Sequence, residues 1–178
     1  KTQFTPYLGY NISRKINPKQ VVECLLKNKI AGVANGRAEF GPRALGNRSL
    51  LADPREIQTK DLVNDIKQRQ KFRPFAPAIL EEHCHDYFHM PDHSRYMSYT
   101  YQCTRSDDIP ACLHVDNSAR VQTVPETSDT ILRPILEAWY ERTGCPVLLN
   151  TSLNVRGKPM VNDWSDAKLF SEKYDVSV

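Results

Sequence analysis

The stretch GRAEFGPRALGNRS, Gly36 to Ser49, packs three arginines and three glycines into fourteen residues between the apolar runs IAGVA and LLAD. Glycines let backbone N–H groups approach a ligand, and guanidinium groups grip phosphate through paired hydrogen bonds. Arg37, Arg43 and Arg48 are therefore candidates for holding an anion. A second basic run, IKQRQKFRPFAP, carries Lys67, Arg69, Lys71 and Arg73, with helical spacing placing Lys67 and Lys71 on one face and Pro74 ending the helix. Cations at a helix carboxyl end are also an ordinary stabilising device. A third segment, NTSLNVRGK, offers Thr151, Ser152, Asn154, Arg156 and Lys158 just after an apolar strand candidate. Ligands in open α/β sheets favour the carboxyl ends of strands, although a polar turn would use the same residue types. Converging, the three segments would suit one polyanionic ligand, with a mononucleotide as the simplest candidate. There is no GxxxxGK[ST] loop and no GxGxxG, which disfavours a P-loop or dinucleotide fold.

The histidine-rich segment HCHDYFHMPDH raises the question of zinc, because His85 and His89 lie four apart. No HExxH pattern occurs and Pro91 interrupts before His93, so these read as surface or packing residues and no metal ligands are assigned. His114 with Asp116, ahead of Arg120 and Gln122, is a possible pair of the kind that is more often structural than catalytic.

These segments need elements to position them. Asn17-Pro18 is a helix start, followed by an apolar stripe through Val21, Val22, Leu25 and Leu26. Strands are predicted at 30–34, 49–52, 76–80, 96–103, within 114–124 and at 147–150. Helices are predicted over 59–70, 81–88 and 130–142, the last stopped by Gly144. This order suggests an α/β or α+β domain with a mixed, twisted sheet. With 178 residues the chain is long enough for one ordinary domain, and its 40% hydrophobic and 25% charged composition is that of a globular protein. A net charge of +3 is too small for a general nucleic-acid coat, so functional positive charge must be local. Five scattered cysteines without a CxxC pair read as reduced thiols, and no apolar run is long enough to span a membrane. Both features fit a cytoplasmic location.

Four segments together, GRAEFGPRALGNRSLLADPR, IKQRQKFRPFAPAIL, HVDNSARVQTV and VLLNTSLNVRGKPMV, resemble the carboxyl-terminal domain of the O-carbamoyltransferases. These are the nodulation and antibiotic carbamoyltransferases, tobramycin and cephem-type enzymes included. The resemblance runs in order from about Pro6 to near the end of the chain. It implies a YrdC-like α/β domain at 17–178, with 1–16 as a junction to an amino-terminal, actin-like domain. The apolar residues of FTPYLGY (Phe4, Tyr7, Leu8 and Tyr10) are expected to belong to that junction.

The activity implied by the resemblance has two steps. Carbamoyl phosphate loses its phosphate, and the resulting carbamate attacks the α-phosphate of ATP to give carbamoyl adenylate and pyrophosphate. The amino-terminal domain then passes the carbamoyl group to a substrate hydroxyl, and Mg²⁺ shares in neutralising the phosphates. Carried over by motif, the catalytic basic groups are Arg43 of FGPRALG, Lys67 of IKQR and Arg73 of FRPFAP. Lys71 and Arg73 resemble a KxR pair, and Ser152 and Asn154 an SxN pair. Arg37, Arg120 and Arg156 complete the expected nucleotide- and substrate-binding set. Asn117-Ser118 replaces the family's Gly-Thr, and Leu153 replaces a Phe. Two other readings keep the fold and drop the chemistry: a nucleotide- or double-stranded-RNA-binding module, and a domain that only orients carbamoyl phosphate. The modest charge and the lack of aromatic clusters beside the arginines disfavour RNA.

Overall fold

The computed structural model describes residues 16–39 and 41–178, so all of the expected junction except Ile16 lies outside the described residues. Helix α1 (Pro18–Asn28) starts where Asn17 Oδ1 accepts from the Lys19 N–H at 3.0 Å, and it ends at Lys29 in the left-handed region. The elements that follow are β1 (Ile30–Ala34), β2 (Arg48–Ala52), α2 (Ile57–Ile66), β3 (Ala76–Leu80), α3 (Cys84–Tyr87), β4 (Phe88–His89) and β5 (Thr100–Cys103). Then come β6 (Ser118–Arg120), β7 (Gln122–Val124), α4 (Leu132–Thr143), β8 (Val147–Ser152) and α5 (Trp164–Tyr174).

The main sheet has the order β1-β2-β8-β3-β7; β3 and β7 run parallel and every other pairing is antiparallel. Its strands alternate between two cores, as the two-residue period of a strand requires. Ile30, Ala34, Leu50, Ala52 and Leu149 face a core closed by Val63 of α2 and by Ala167 and Phe170 of α5. Ala31, Val33, Leu51 and Leu148 face the other, closed by Leu25 of α1 and by Leu132, Ile135, Leu136 and Trp139 of α4. Full burial of each such Leu or Ile contributes about 1.5–3 kcal/mol. A smaller antiparallel sheet, β4-β5-β6, packs on Ile79 and Val147 through Phe88, Cys103 and Ala119.

Three expectations change. The strand predicted within 114–124 is two strands, β6 and β7, which join different sheets on either side of buried Val121. The segment 81–88 is a 3₁₀ turn followed by the four-residue α3, so His85 and His89 do not share a helix face. Instead His85 Nε2 meets Asp92 Oδ1 at 3.0 Å, and His83 Nδ1 meets Asp86 Oδ2 at 2.9 Å. Finally, α2 ends at Ile66, because Gln68 takes φ +53° and the Arg69 N–H returns to the Asn64 carbonyl. Lys67 and Lys71 consequently diverge: Lys67 is buried, while Lys71 is exposed and pairs with Asp65 at 3.6 Å.

Candidate functional site

Antiparallel pairing brings the carboxyl end of β8 beside the amino ends of β2 and β3. At this edge lies a cleft of about 100 Å³, lined by Pro42–Ala44, Arg69, Pro74–Ala76, Met97, Arg120 and Asn150–Ser152. A larger cavity of about 410 Å³ between α1, β1 and residues 177–178 is lined mainly by apolar groups such as Ile16, Val21 and Val178, and holds no cluster of charges. The arginines gather at the smaller one. Sites for drug-sized ligands span about 300–1,000 Å³, so the arginine cleft suits a small anion or one phosphorylated end of a larger molecule.

Each wall is held by an identifiable device. The glycine-rich loop is tied down by Glu39, whose Oε1 accepts from the Leu45 and Asn47 N–H groups. Arg48 stiffens the same loop: it is fully buried, and its guanidinium donates to the carbonyls of Asn35, Gly36, Asn47 and Asn162. Arg48 is thus a staple and not an anion ligand, a correction to the expectation. On the second wall, buried Asn64 donates to the Lys71 and Arg73 carbonyls and accepts from Arg69 Nε at 2.7 Å. Arg69 also lies over the Phe75 ring, 4.2 Å from its centroid. On the third wall, the Lys67 ammonium donates to Ser152 O (2.6 Å), Asn154 O (2.9 Å), Asn154 Oδ1 (3.0 Å) and Ser152 Oγ (3.3 Å).

The expected residues therefore separate. Arg43, Arg120 and Ser152 line the cleft. Lys67 stands behind it at 4% exposure, knotting the Ser152–Asn154 turn from inside, so direct contact with a phosphate is replaced by support of the turn. Asn154 is committed to that turn, accepting from Lys67 and Ser152 and donating to the Lys158 carbonyl. Arg73 is exposed and outside the lining, but close enough for its charge to act on Arg69. Arg37, Lys71 and Arg156 are exposed and are not among the lining residues; Arg156 meets this wall only through its N–H on the Lys67 carbonyl. Arg69 belongs to the basic run considered for anion binding, yet no motif singles it out within that run. Its signal was the conjunction with Asn64, which only the turn after α2 creates.

The cleft is strongly electropositive. Burial, then Arg73 and Arg120, lower the Arg69 pKa to about 10. Arg120 is lowered by burial and by Arg43, and Lys67 is lowered to about 7 by burial and by Arg69. Among the described residues no carboxylate pairs with Arg43, Arg69, Arg73 or Arg120. The buried carboxylate of Asp53 is taken by Arg55 and Lys29, and Glu82 by Arg133. Cations crowded together without counter-charges are arranged for an incoming anion.

Comparison with known proteins identifies the family of the chain. Residues 22–178 match the family described as the carbamoyltransferase C-terminus, and the chain belongs to that family. Nodulation protein NolO of Bradyrhizobium diazoefficiens is 42% identical over 144 residues, covering 78% of this chain and 26% of that protein. The 3'-hydroxymethylcephem-O-carbamoyltransferase of Amycolatopsis lactamdurans is 39% identical over 165 residues, covering 93% and 32% respectively. The chain thus spans about a quarter to a third of the length of these curated relatives. Among solved structures, full-length HypF in its phosphate- and nucleotide-bound form is similar with a TM-score of 0.62 and 16% identity, over 94% of this chain and 21% of that one. HypF of T. kodakarensis gives 0.61 and 18%, over 90% and 20%. The mixed α/β, YrdC-like fold expected from the motifs is the fold observed.

Proposed function

We propose that this chain is the carbamoyl-phosphate- and ATP-binding domain of an O-carbamoyltransferase and forms carbamoyl adenylate. The observation that supports this most directly is the cleft lined by Arg43, Arg69 and Arg120, without a paired carboxylate among the described residues, in a member of the carbamoyltransferase C-terminus family. In the proposed reaction, water releases phosphate from carbamoyl phosphate to leave carbamate. A carbamate oxygen then attacks the α-phosphorus of ATP, the bond to the bridging oxygen breaks, and pyrophosphate leaves. Both reactants are anions, and preorganised guanidinium groups remove their mutual repulsion without having to reorganise. One relative is named a cephem O-carbamoyltransferase, and one structural neighbour, HypF, is described with phosphate and nucleotide bound.

The cleft's size limits what it holds. About 100 Å³ accommodates the phosphorylated end of a reactant, and the nucleoside would extend beyond it. Mg²⁺ is part of the proposal only as a companion of the nucleotide phosphates. No carboxylate lines the cleft, and among the described residues no cluster of three His, Cys, Asp or Glu could hold a metal, so no step is assigned to a protein-held ion. The test is pyrophosphate release by the 178-residue chain given ATP and carbamoyl phosphate. Release that requires both compounds is expected. Failure to bind either one in a titration would refute the assignment.

A further inference from the structure

β1 is the outermost strand on its side of the main sheet, and all five of its residues are buried. Pairing with β2 uses the backbone groups of alternate residues, so those of Ile30, Gly32 and Ala34 point away from the sheet. Neighbouring bonds fix this direction. The Asn35 N–H donates to the Asn47 carbonyl and the Asp53 N–H to the Lys29 carbonyl, whereas the Gly32 N–H donates outward to the Ser177 carbonyl at 2.7 Å. The Ile30 carbonyl accepts from Cys24 Sγ at 3.6 Å. The Gly32 carbonyl and both backbone groups of Ala34 have no hydrogen bond among the described residues. Residues 177–178 cover only the middle of the strand, where a Cβ on Gly32 would lie 2.5 Å from Val178 Cγ2. An apolar edge strand with unpaired backbone groups is a template for pairing, and native sheets cover it.

Beside this edge lies the apolar cavity of about 410 Å³, walled by Ile16, Val21, Cys24, Ala34, Trp164 and Val178 among others. Ile16 is the first described residue, so the preceding segment joins the molecule at the cavity wall. That segment includes FTPYLGY, in which Phe4, Tyr7, Leu8 and Tyr10 are large and mainly apolar. Leu8 precedes Ile16 by eight residues. Those residues span about 26 Å when extended, against about 17 Å for a strand as long as β1. The segment can therefore lie along the whole edge. We propose that residues 4–10 add to the outer edge of β1, pairing with the free backbone groups of Gly32 and Ala34 and filling the cavity with their apolar side chains. Pro6 suits the new outermost strand, where a missing N–H discourages further pairing. FTPYLGY then completes this domain's own sheet and not the face of another domain. Because β1 runs directly into the glycine-rich loop, the added strand also braces the loop that carries Arg43.

The full chain allows a direct test, because Cys24 lines the cavity and is half-buried while the other four cysteines are buried. Tyr7→Cys, Leu8→Cys and Tyr10→Cys are made singly, oxidised mildly and mapped by peptide mass spectrometry. Successive strand side chains alternate, so a disulfide to Cys24 is expected either from position 7 or from positions 8 and 10. Equal bridging from all three would show a loose tether and overturn the pairing, as would bridging from none. Bridges between two molecules would place a second copy at the edge instead. Amide exchange supplies the second measurement. The Ala34 N–H of the native chain should exchange at least about tenfold more slowly than in Tyr7→Ser/Leu8→Ser, while the β8 amides stay protected in both. Equal exchange at Ala34 in the two chains would overturn the proposal. Should the double variant not fold, the cross-linking pattern alone decides.

Discussion

Arg69 and Lys67 differ by two positions and by their relation to the cleft, and each implies its own measurement. Arg69 lines the cleft with its Nε fixed by Asn64 and its plane on Phe75. Arg69→Ala should weaken binding of a phosphorylated ligand by about 1.5–3 kcal/mol, the range for a hydrogen bond to a charged group. Arg69→Lys should recover little, since an ammonium has neither the fork nor the ring contact. Titration calorimetry with carbamoyl phosphate checks both, and normal affinity in Arg69→Lys would show that charge alone is read. Lys67 has its pKa lowered to about 7 by burial and then by Arg69, opposed by the four oxygens around Nζ that favour the charged form. Between about pH 6 and about pH 8.5 the arginines stay charged while this ammonium is lost, taking positive charge from beside the cleft. Affinity for sulfate, whose own charge is constant there, should therefore fall as pH rises, and Lys67→Met should bind weakly with no slope. Stability should move the opposite way. The folded pKa lies below the ordinary 10.5, so between about 7 and 10.5 the unfolded chain carries the extra proton and the folded state gains as pH rises. A native sulfate affinity that does not vary with pH would remove Lys67 from the site's electrostatics.

At the scale of elements, the glycine-rich loop is fastened at both ends, by Glu39 to the Leu45 and Asn47 N–H groups and by Arg48 to four carbonyls. Gly46 completes it with φ +132°, where a Cβ would come within 3.0 Å of Leu132 Cβ on α4. Gly46→Ala must strain the backbone or push the loop from α4. A loss of about 1–3 kcal/mol in unfolding free energy is expected, together with weaker carbamoyl-phosphate binding, because Arg43 travels with the loop. A melt unchanged from the native chain would show that the loop yields freely. The strands of the main sheet were readable because each is a short apolar run, and β1, β2, β3 and β8 fall where that pattern put them. The helix α5 went unread: WSDAKLFSEKY buries only Ala167 and Phe170, leaving Leu169 exposed, and this stripe is too thin to stand out. The division of 114–124 was hidden because Ala119 and Val121 alternate as in a single strand, while buried Gln122 and Thr123 carry no apolar signal where the chain passes from one sheet to another. Arginines were readable as a class but not by role. Arg48 and Arg43 look alike in sequence, and only the carbonyls gathered around Arg48 distinguish a staple from a ligand-facing group.

At the scale of the whole molecule, the chain carries an anion cleft on one edge of its sheet and spans about a quarter to a third of its curated relatives. Under the proposed reaction its product would be carbamoyl adenylate, a mixed anhydride open to attack by any nucleophile that reaches it. A cleft of about 100 Å³ is too small to enclose the whole adenylate, so its reactive carbonyl must be shielded by something beyond the described residues or meet water. Hydrolysis would return AMP and carbamate, which breaks down to ammonia and carbon dioxide. The 178-residue chain supplied with ATP, carbamoyl phosphate and an alcohol is therefore expected to form AMP and pyrophosphate in equal amounts, with no carbamate ester. Transfer is expected to require the additional chain present in the longer relatives. Mass spectrometry of the alcohol fraction beside an AMP assay makes the comparison. An ester formed in step with AMP would place acceptor binding and transfer within these residues and overturn the proposed division of labour.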